Sequence, residues 1–171
     1  MDAVSHDLST LAFNVFNSNG HLNTEVREKG LCLWDAEDAR KIYESPIVYI
    51  HEIQVNEGWC GIGIGSWAVI QLFETARIEA IGSSYLFAWP TVLCRHEPPR
   101  CIRTIPYVLW ANEDRDAWQT KGDLIVKFFR SNGFRRPAHS SFFCLAKDPE
   151  HCSGKIAADK DAGWSSAGSG K

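Results

Sequence analysis

A mixed α/β fold is predicted by three features of the sequence. Residues 47–55 are rich in β-branched and aromatic side chains, and both odd (Tyr49, Ile53, Val55) and even (Val48, Ile50) positions are apolar. A strand of that kind is covered on both faces, as central strands of α/β proteins are. A glycine run from Gly58 to Gly65 then leads into a helix-length segment without Gly or Pro, and strand and helix patterns alternate to residue 146. The length of 171 residues suits one hydrophobic core. With 44% hydrophobic and 23% charged residues, the composition is that of a globular chain rather than a disordered one. A net charge of -3 disfavours nucleic acid as a partner held by bulk charge.

Taken in order, the first element is a helix over 7–18, where Leu8, Leu11, Ala12 and Val15 recur on one face and Gly20 supplies the stop. A short apolar run at 31–34 predicts a strand. After the central strand, residues 66–77 form a helix that Gly82 closes; its start is apolar nearly all round, which predicts a buried first turn. Residues 84–89 predict a strand that Pro90 cuts off. The stretch 90–112 is irregular, around an apolar run at 105–110. A helix over 114–132 turns Trp118, Ile125, Phe128 and Phe129 inward and ends at Gly133, and residues 141–146 form a last strand. Beyond Lys155 the composition changes to Ala, Asp, Gly, Ser and Lys. One domain over 1–155 with a flexible tail over 156–171 is therefore expected.

The longest apolar runs fall far short of the ~20 residues needed to span a bilayer, so no membrane association is expected. The first residues lack the basic start and apolar run of a secretory signal, which predicts a cytoplasmic or nuclear setting. The 6 cysteines include no C-x-x-C pair and read as reduced thiols in such a setting. Cys94, His96 and Cys101 match no zinc spacing, so no metal is expected.

Gly61, Gly63 and Gly65 between a strand and a helix make a recognisable physical device. Glycine lets backbone N–H groups approach a ligand closely, and the helix N-terminus adds partial positive charge; together they favour a phosphate or pyrophosphate. The spacing fits neither of two common phosphate cradles. A Walker loop needs Lys before the Ser, and Gly65 is followed directly by Ser66; a dinucleotide fingerprint needs Gly where Ala68 stands.

Residues 52–65 instead resemble the acyl-CoA-binding motif of the GNAT superfamily of N-acetyltransferases, a Q/R-x-x-G-x-G/A pattern following a central strand. Downstream, Phe128-Phe129-Arg130-Ser131-Asn132-Gly133-Phe134 resembles the helix-end signature of that family, an aromatic pair followed by Gly-Phe. The two motifs occur in the family's order. The resemblance covers about residues 8 to 147, and the wording of the C-terminal part is similar to fungal proteins with this domain. It implies a central mixed, mostly antiparallel sheet, splayed at the cofactor cleft and flanked by helices, with an abbreviated N-terminal part. It also implies acetyl-CoA as co-substrate and an amine as acceptor. By resemblance, Ile53 and Val55 would offer backbone groups to pantetheine, and the amides of Gly61, Gly63, Ile64, Gly65 and Ser66 would hold the pyrophosphate.

The departures from the pattern bear on the chemistry. Cys60 stands at the motif's first position, where relatives carry Arg or Gln, and Ile62 stands where many carry a basic residue. Phe129 occupies the place of a tyrosine that protonates the departing thiolate. Glu52 is the expected base, provided that burial raises its pKa; His51 and His139 are alternatives. Tyr85 is the substitute acid. Arg135 and Arg136 are either a solvated strand start or contacts to ligand phosphates. Trp89, Trp110 and Trp118 are core or a substrate wall. Two classes of function follow: an enzyme that transfers an acetyl group by direct attack, and a GNAT-like module that binds a ligand without transfer or does other chemistry.

Overall fold

The computed structural model describes residues 6–23, 36–91, 112–137, 140–158 and 160–161. The helices are α1 (His6–Val15), α2 (Ala36–Glu44), α3 (Ile64–Phe73), α4 (Ala76–Ile81) and α5 (Asn112–Ser131). The strands are β1 (Val48–Ile50), β2 (Tyr85–Ala88) and β3 (Phe143–Ala146), and two short 3-10 turns lie at Glu57–Trp59 and Cys152–Lys155. They form one mixed sheet in the order β1-β2-β3. β1 runs parallel to β2, with Ile50 opposite Ala88, and β3 runs antiparallel to β2, with Phe143 opposite Ala88.

Period-two alternation along β2 divides the core. All four of its residues are buried. Tyr85 and Phe87 pack with Leu11, Val15 and Phe16 at α1, Ile42 of α2, Phe142 and Cys144. Leu86 and Ala88 face the other way, onto Val69 and Phe73 of α3, Ile78 of α4, Phe129 of α5, Phe134 and Phe143. Tyr49 of β1 joins the first group, while Val48 and Ile50 join the second. Each face of β1 is thus partly covered, but β1 stands at one end of the described sheet rather than at its centre, which β2 occupies, and helices lie on each side. Each fully buried Phe or Leu contributes roughly 1.5–3 kcal/mol over an exposed one.

Several expectations change. The central strand, expected over 47–55, pairs only over Val48–Ile50; residues 51–56 are extended chain outside the ladder. The single helix expected over 66–77 is two, because Thr75 caps α4. Its hydroxyl oxygen accepts from the Ile78 amide at 3.4 Å while its O–H donates to the Leu72 carbonyl at 2.9 Å. The start of α3 is exposed rather than buried: Val69 and Phe73, one turn apart, form the face against the sheet, leaving Trp67 64% exposed. Chain past the compositional boundary at 155 still packs. Ile156 contacts the α1-side core, and the buried Asp161 carboxylate pairs with Arg130. Phe129 is buried and Ile125 and Phe128 are partly buried, as their inward spacing predicts. The strand expected at 31–34 and residues 92–111 lie outside the described residues.

Candidate functional site

The parallel pairing of β1 and β2 stops at Ile50 and Ala88, and the two chains then part. Pro90 has no amide hydrogen, so β2 cannot extend its ladder past that point. The gap opens a cleft of about 410 Å³. One wall is the unpaired continuation of β1: Ile50, His51, Glu52, Ile53 and Val55, with Cys60 beyond. The second is Trp89 and Thr91 at the end of β2, and the third is Leu124, Ile125, Phe128 and Phe129 on α5. The walls are mainly aliphatic and aromatic, with polar side chains few and concentrated on the β1 side.

The glycine turn adjoins this cleft. After Val55 the chain tightens, the Trp59 amide bonding the Asn56 carbonyl at 2.8 Å and the Cys60 thiol donating to the same carbonyl at 3.4 Å. Gly61 and Gly63 then adopt φ of +79° and +88°, left-handed values that strain other L-residues by about 1–2 kcal/mol. Gly63 is the N-cap of α3, and its carbonyl accepts the first helical bond from Trp67 at 2.9 Å. The amides of Ile64, Gly65 and Ser66 therefore begin the helix without an intrahelical acceptor. Gly65 is required for a different reason. A Cβ there would stand 3.1 Å from Phe128 Cε2 and 3.4 Å from Val55 Cγ2. Three segments meet at that point, so the helix N-terminus and the cleft wall are continuous.

The β1 side also carries the site's charge. His51 Nδ1 lies 3.4 Å from Asp7 Oδ2, which reaches over from the first turn of α1. The neighbouring Tyr49 phenol is pushed up to about 12, first by burial and then by the negative charge of Asp7. Glu52 is exposed, without the burial that a carboxylate base was expected to have.

Of the expected site residues, Glu52, Ile53, Val55, Cys60 and Phe129 line the cleft, while Gly61, Ile62, Gly63, Ile64, Gly65 and Ser66 form the adjoining turn and helix start. Ile62 points to solvent, 63% exposed. Tyr85 is a correction. It is only 5% exposed, sits at the opposite end of β2 from the cleft, and packs in the α1-side core edge-on to His151. Buried at that far end of the strand, it cannot serve in the cleft as an acid. Arg135 and Arg136 are likewise away from the cleft and buried, and desolvation lowers both guanidinium pKa values. Arg135 donates to the carbonyls of Ile156, Arg130 and Phe134. Phe129 is both core and cleft wall, in edge contact with Phe128 and Phe134 at centroid distances of 5.4 and 5.0 Å. His139, Trp110 and the Cys94–His96–Cys101 group lie outside the described residues. Cys60, Cys144 and Cys152 are in no disulfide.

Sequence reasoning missed Thr91, Leu124 and the role of Asp7. Leu124 stands one helical turn before Phe128, and that i, i+4 spacing is the signal that could have found it. Asp7 and His51 lie 44 residues apart in the chain, beyond any local pattern. No helix among the described residues is long and apolar enough to cross a membrane. No protein-family model, curated protein or solved structure matches the chain.

Proposed function

We propose that the chain is an acyl-CoA-dependent N-acyltransferase that moves an acetyl group from acetyl-CoA to an amine. The observation that carries this reading is the junction at Gly65, where a helix N-terminus preceded by two left-handed glycines opens directly onto an apolar cleft between diverging parallel strands. A CoA thioester needs that pair of surfaces side by side: donors and positive potential for a pyrophosphate, and an uncharged slot for a pantetheine arm. In this reading the amides of Ile64, Gly65 and Ser66 receive the pyrophosphate, and the chain at Ile53 and Val55 faces the arm. A mixed sheet splayed at a cleft is also what the resemblance to the GNAT superfamily implies. In the reaction the amine nitrogen bonds to the thioester carbonyl carbon and the C–S bond breaks. A proton leaves nitrogen and the sulfur gains one. The exposed Glu52 carboxylate at the mouth draws a cationic amine in by charge.

The loss of Tyr85 as an acid, together with an aromatic ring without a hydroxyl at Phe129, favours a second reading: a module that binds the thioester without transferring its acyl group. Both readings predict binding. Acetyl-CoA at one hundred times its dissociation constant should stabilise the chain by ~2.7 kcal/mol, visible as a raised melting temperature and as calorimetric heat. No heat and no shift would reject both. Release of free CoA thiol that depends on added amine separates the enzyme from the module.

A further inference from the structure

We propose that the outward face of α3 is a self-association surface, on which a second copy of this chain packs antiparallel about a two-fold axis. The inference goes beyond the acyl-transfer reading and does not rest on it. Val69 and Phe73 turn one face of α3 into the core, which leaves Trp67 and Ile70 on the other, 64% and 56% exposed. Gly63 and Glu74 complete the same stripe, because the spacing 63, 67, 70, 74 follows the four-three-four rhythm of a helix seam. The turn before it adds Trp59 and Ile62, both more than half exposed. Large apolar side chains gathered on one exposed face mark an interaction surface. Trp is also enriched among the residues that carry most of the energy of such surfaces.

Charge decides what covers the face. α3 has no acidic residue in its first turn and no basic residue in its last, and no side chain caps its N-terminus. Its partial charges, positive at the Gly63 end and negative at the Phe73 end, are therefore not offset from within the helix. Glu74 at the C-cap adds a full negative charge to the negative end. An antiparallel copy corrects both ends at once. With the axis level with the Ala68–Val69 peptide, Trp67 meets Ile70 of the second copy and Glu74 meets its Gly63, each pairing occurring twice. No other part of the chain lies within 4 Å of where a Cβ on Gly63 would stand, so a carboxylate can approach the first-turn amides that lack an intrahelical acceptor. A parallel pairing would set Glu74 against Glu74. A bilayer is disfavoured on similar grounds: from Asn56 to Glu74 the charged side chains are Glu57 and Glu74, with no Lys or Arg to attract lipid phosphates. The seam is ten residues long, which suits a transient dimer with a dissociation constant on the order of 10–100 µM. Those first-turn amides are also the ones that the proposed function gives to a pyrophosphate. Bound acetyl-CoA and Glu74 of the second copy therefore exclude one another.

Sedimentation equilibrium of the full chain, from about 5 to about 500 µM, tests this, and the wild type should pass from one chain mass towards two across that range. Trp67→Glu, at a position already open to solvent, should keep the melting temperature and weaken the dimer by about a hundredfold or more. Glu74→Lys should weaken it by about tenfold, because it sets a cation at the positive end of the facing helix. In isotope-filtered spectra of mixed labelled and unlabelled chains, the Trp67 indole should show intermolecular contacts to the Ile70 methyl groups. Saturating acetyl-CoA should weaken association by about tenfold. A wild type that stays monomeric throughout overturns the proposal, and Trp67-dependent co-sedimentation with phosphatidylcholine vesicles would then give the face to a bilayer. A dimer that Trp67→Glu leaves intact, or one in which Trp67 touches only the other Trp67, overturns the seam or its direction. Acetyl-CoA that binds without loosening the dimer overturns the pairing at Glu74. A dimer that forms as described in a chain that binds no acetyl-CoA upholds this proposal and rejects the acyl-transfer reading alone.

Discussion

The two sides of β2, the middle strand, are finished in opposite ways. Beyond β3 the chain at Arg135 adds an antiparallel bridge to Cys144, with both backbone hydrogen bonds at 2.9 Å. The Arg130 and Arg136 guanidinium groups lie over the Phe143 ring at 5.8 and 5.0 Å, and Asp161 closes on Arg130 and on the Arg136 amide. The bridge, the two cation–π contacts and the Asp161 carboxylate tie that edge together. At the β1 edge the ladder with β2 stops after three residues, and the space that follows is an apolar cleft beside a helix N-terminus. Closure at one edge lets the other stay open: β2 and β3 are anchored by buried rings and charge pairs, so β1 can diverge without unravelling the core. The open side is where the proposed binding site lies.

The contrast can be broken from either side. At the closed edge, Asp161→Ala should have the largest effect, a loss of about 3 kcal/mol in urea unfolding, because it leaves Arg130 facing a buried site without its carboxylate. Acetyl-CoA affinity should stay the same in that variant; a loss below ~1 kcal/mol would mean that the tail contact is incidental. At the open edge, Gly65→Ala places a methyl group against Phe128 and Val55, and should cost about 1–2 kcal/mol by overpacking. The same variant should weaken acetyl-CoA binding by about tenfold or more, since it displaces the ring that joins helix and cleft. Retained affinity there would detach the glycine turn from the binding site.

Local pattern made part of this legible. The glycine turn, the Phe128–Phe129 pair at the end of α5 and the buried strand at 84–89 all announce themselves within a few residues, because steric demand and periodicity act over that range. What stayed hidden depends on partners far along the chain. Nothing local tells that Tyr85, a candidate substitute acid, lies in the core; only the register with Ala146 and the packing against α1 show it. The extent of the central strand depended on where β2 ends, and composition gave no hint that Asp161 would lie buried in a segment of Ala, Asp and Lys. The Asp7–His51 contact likewise joins two segments that carry no shared local signal.

The central claim is that the β1 edge, and not the β3 edge, receives a CoA thioester. Backbone 1H–15N spectra recorded during titration with coenzyme A test it residue by residue. The account predicts large, saturable shifts at the amides of Gly61, Gly63, Ile64, Gly65 and Ser66, smaller ones at Ile53 and Val55, and none at Arg135, Cys144 or Asp161. Shifts confined to the β3 edge, or a spectrum unchanged at millimolar coenzyme A, would contradict it.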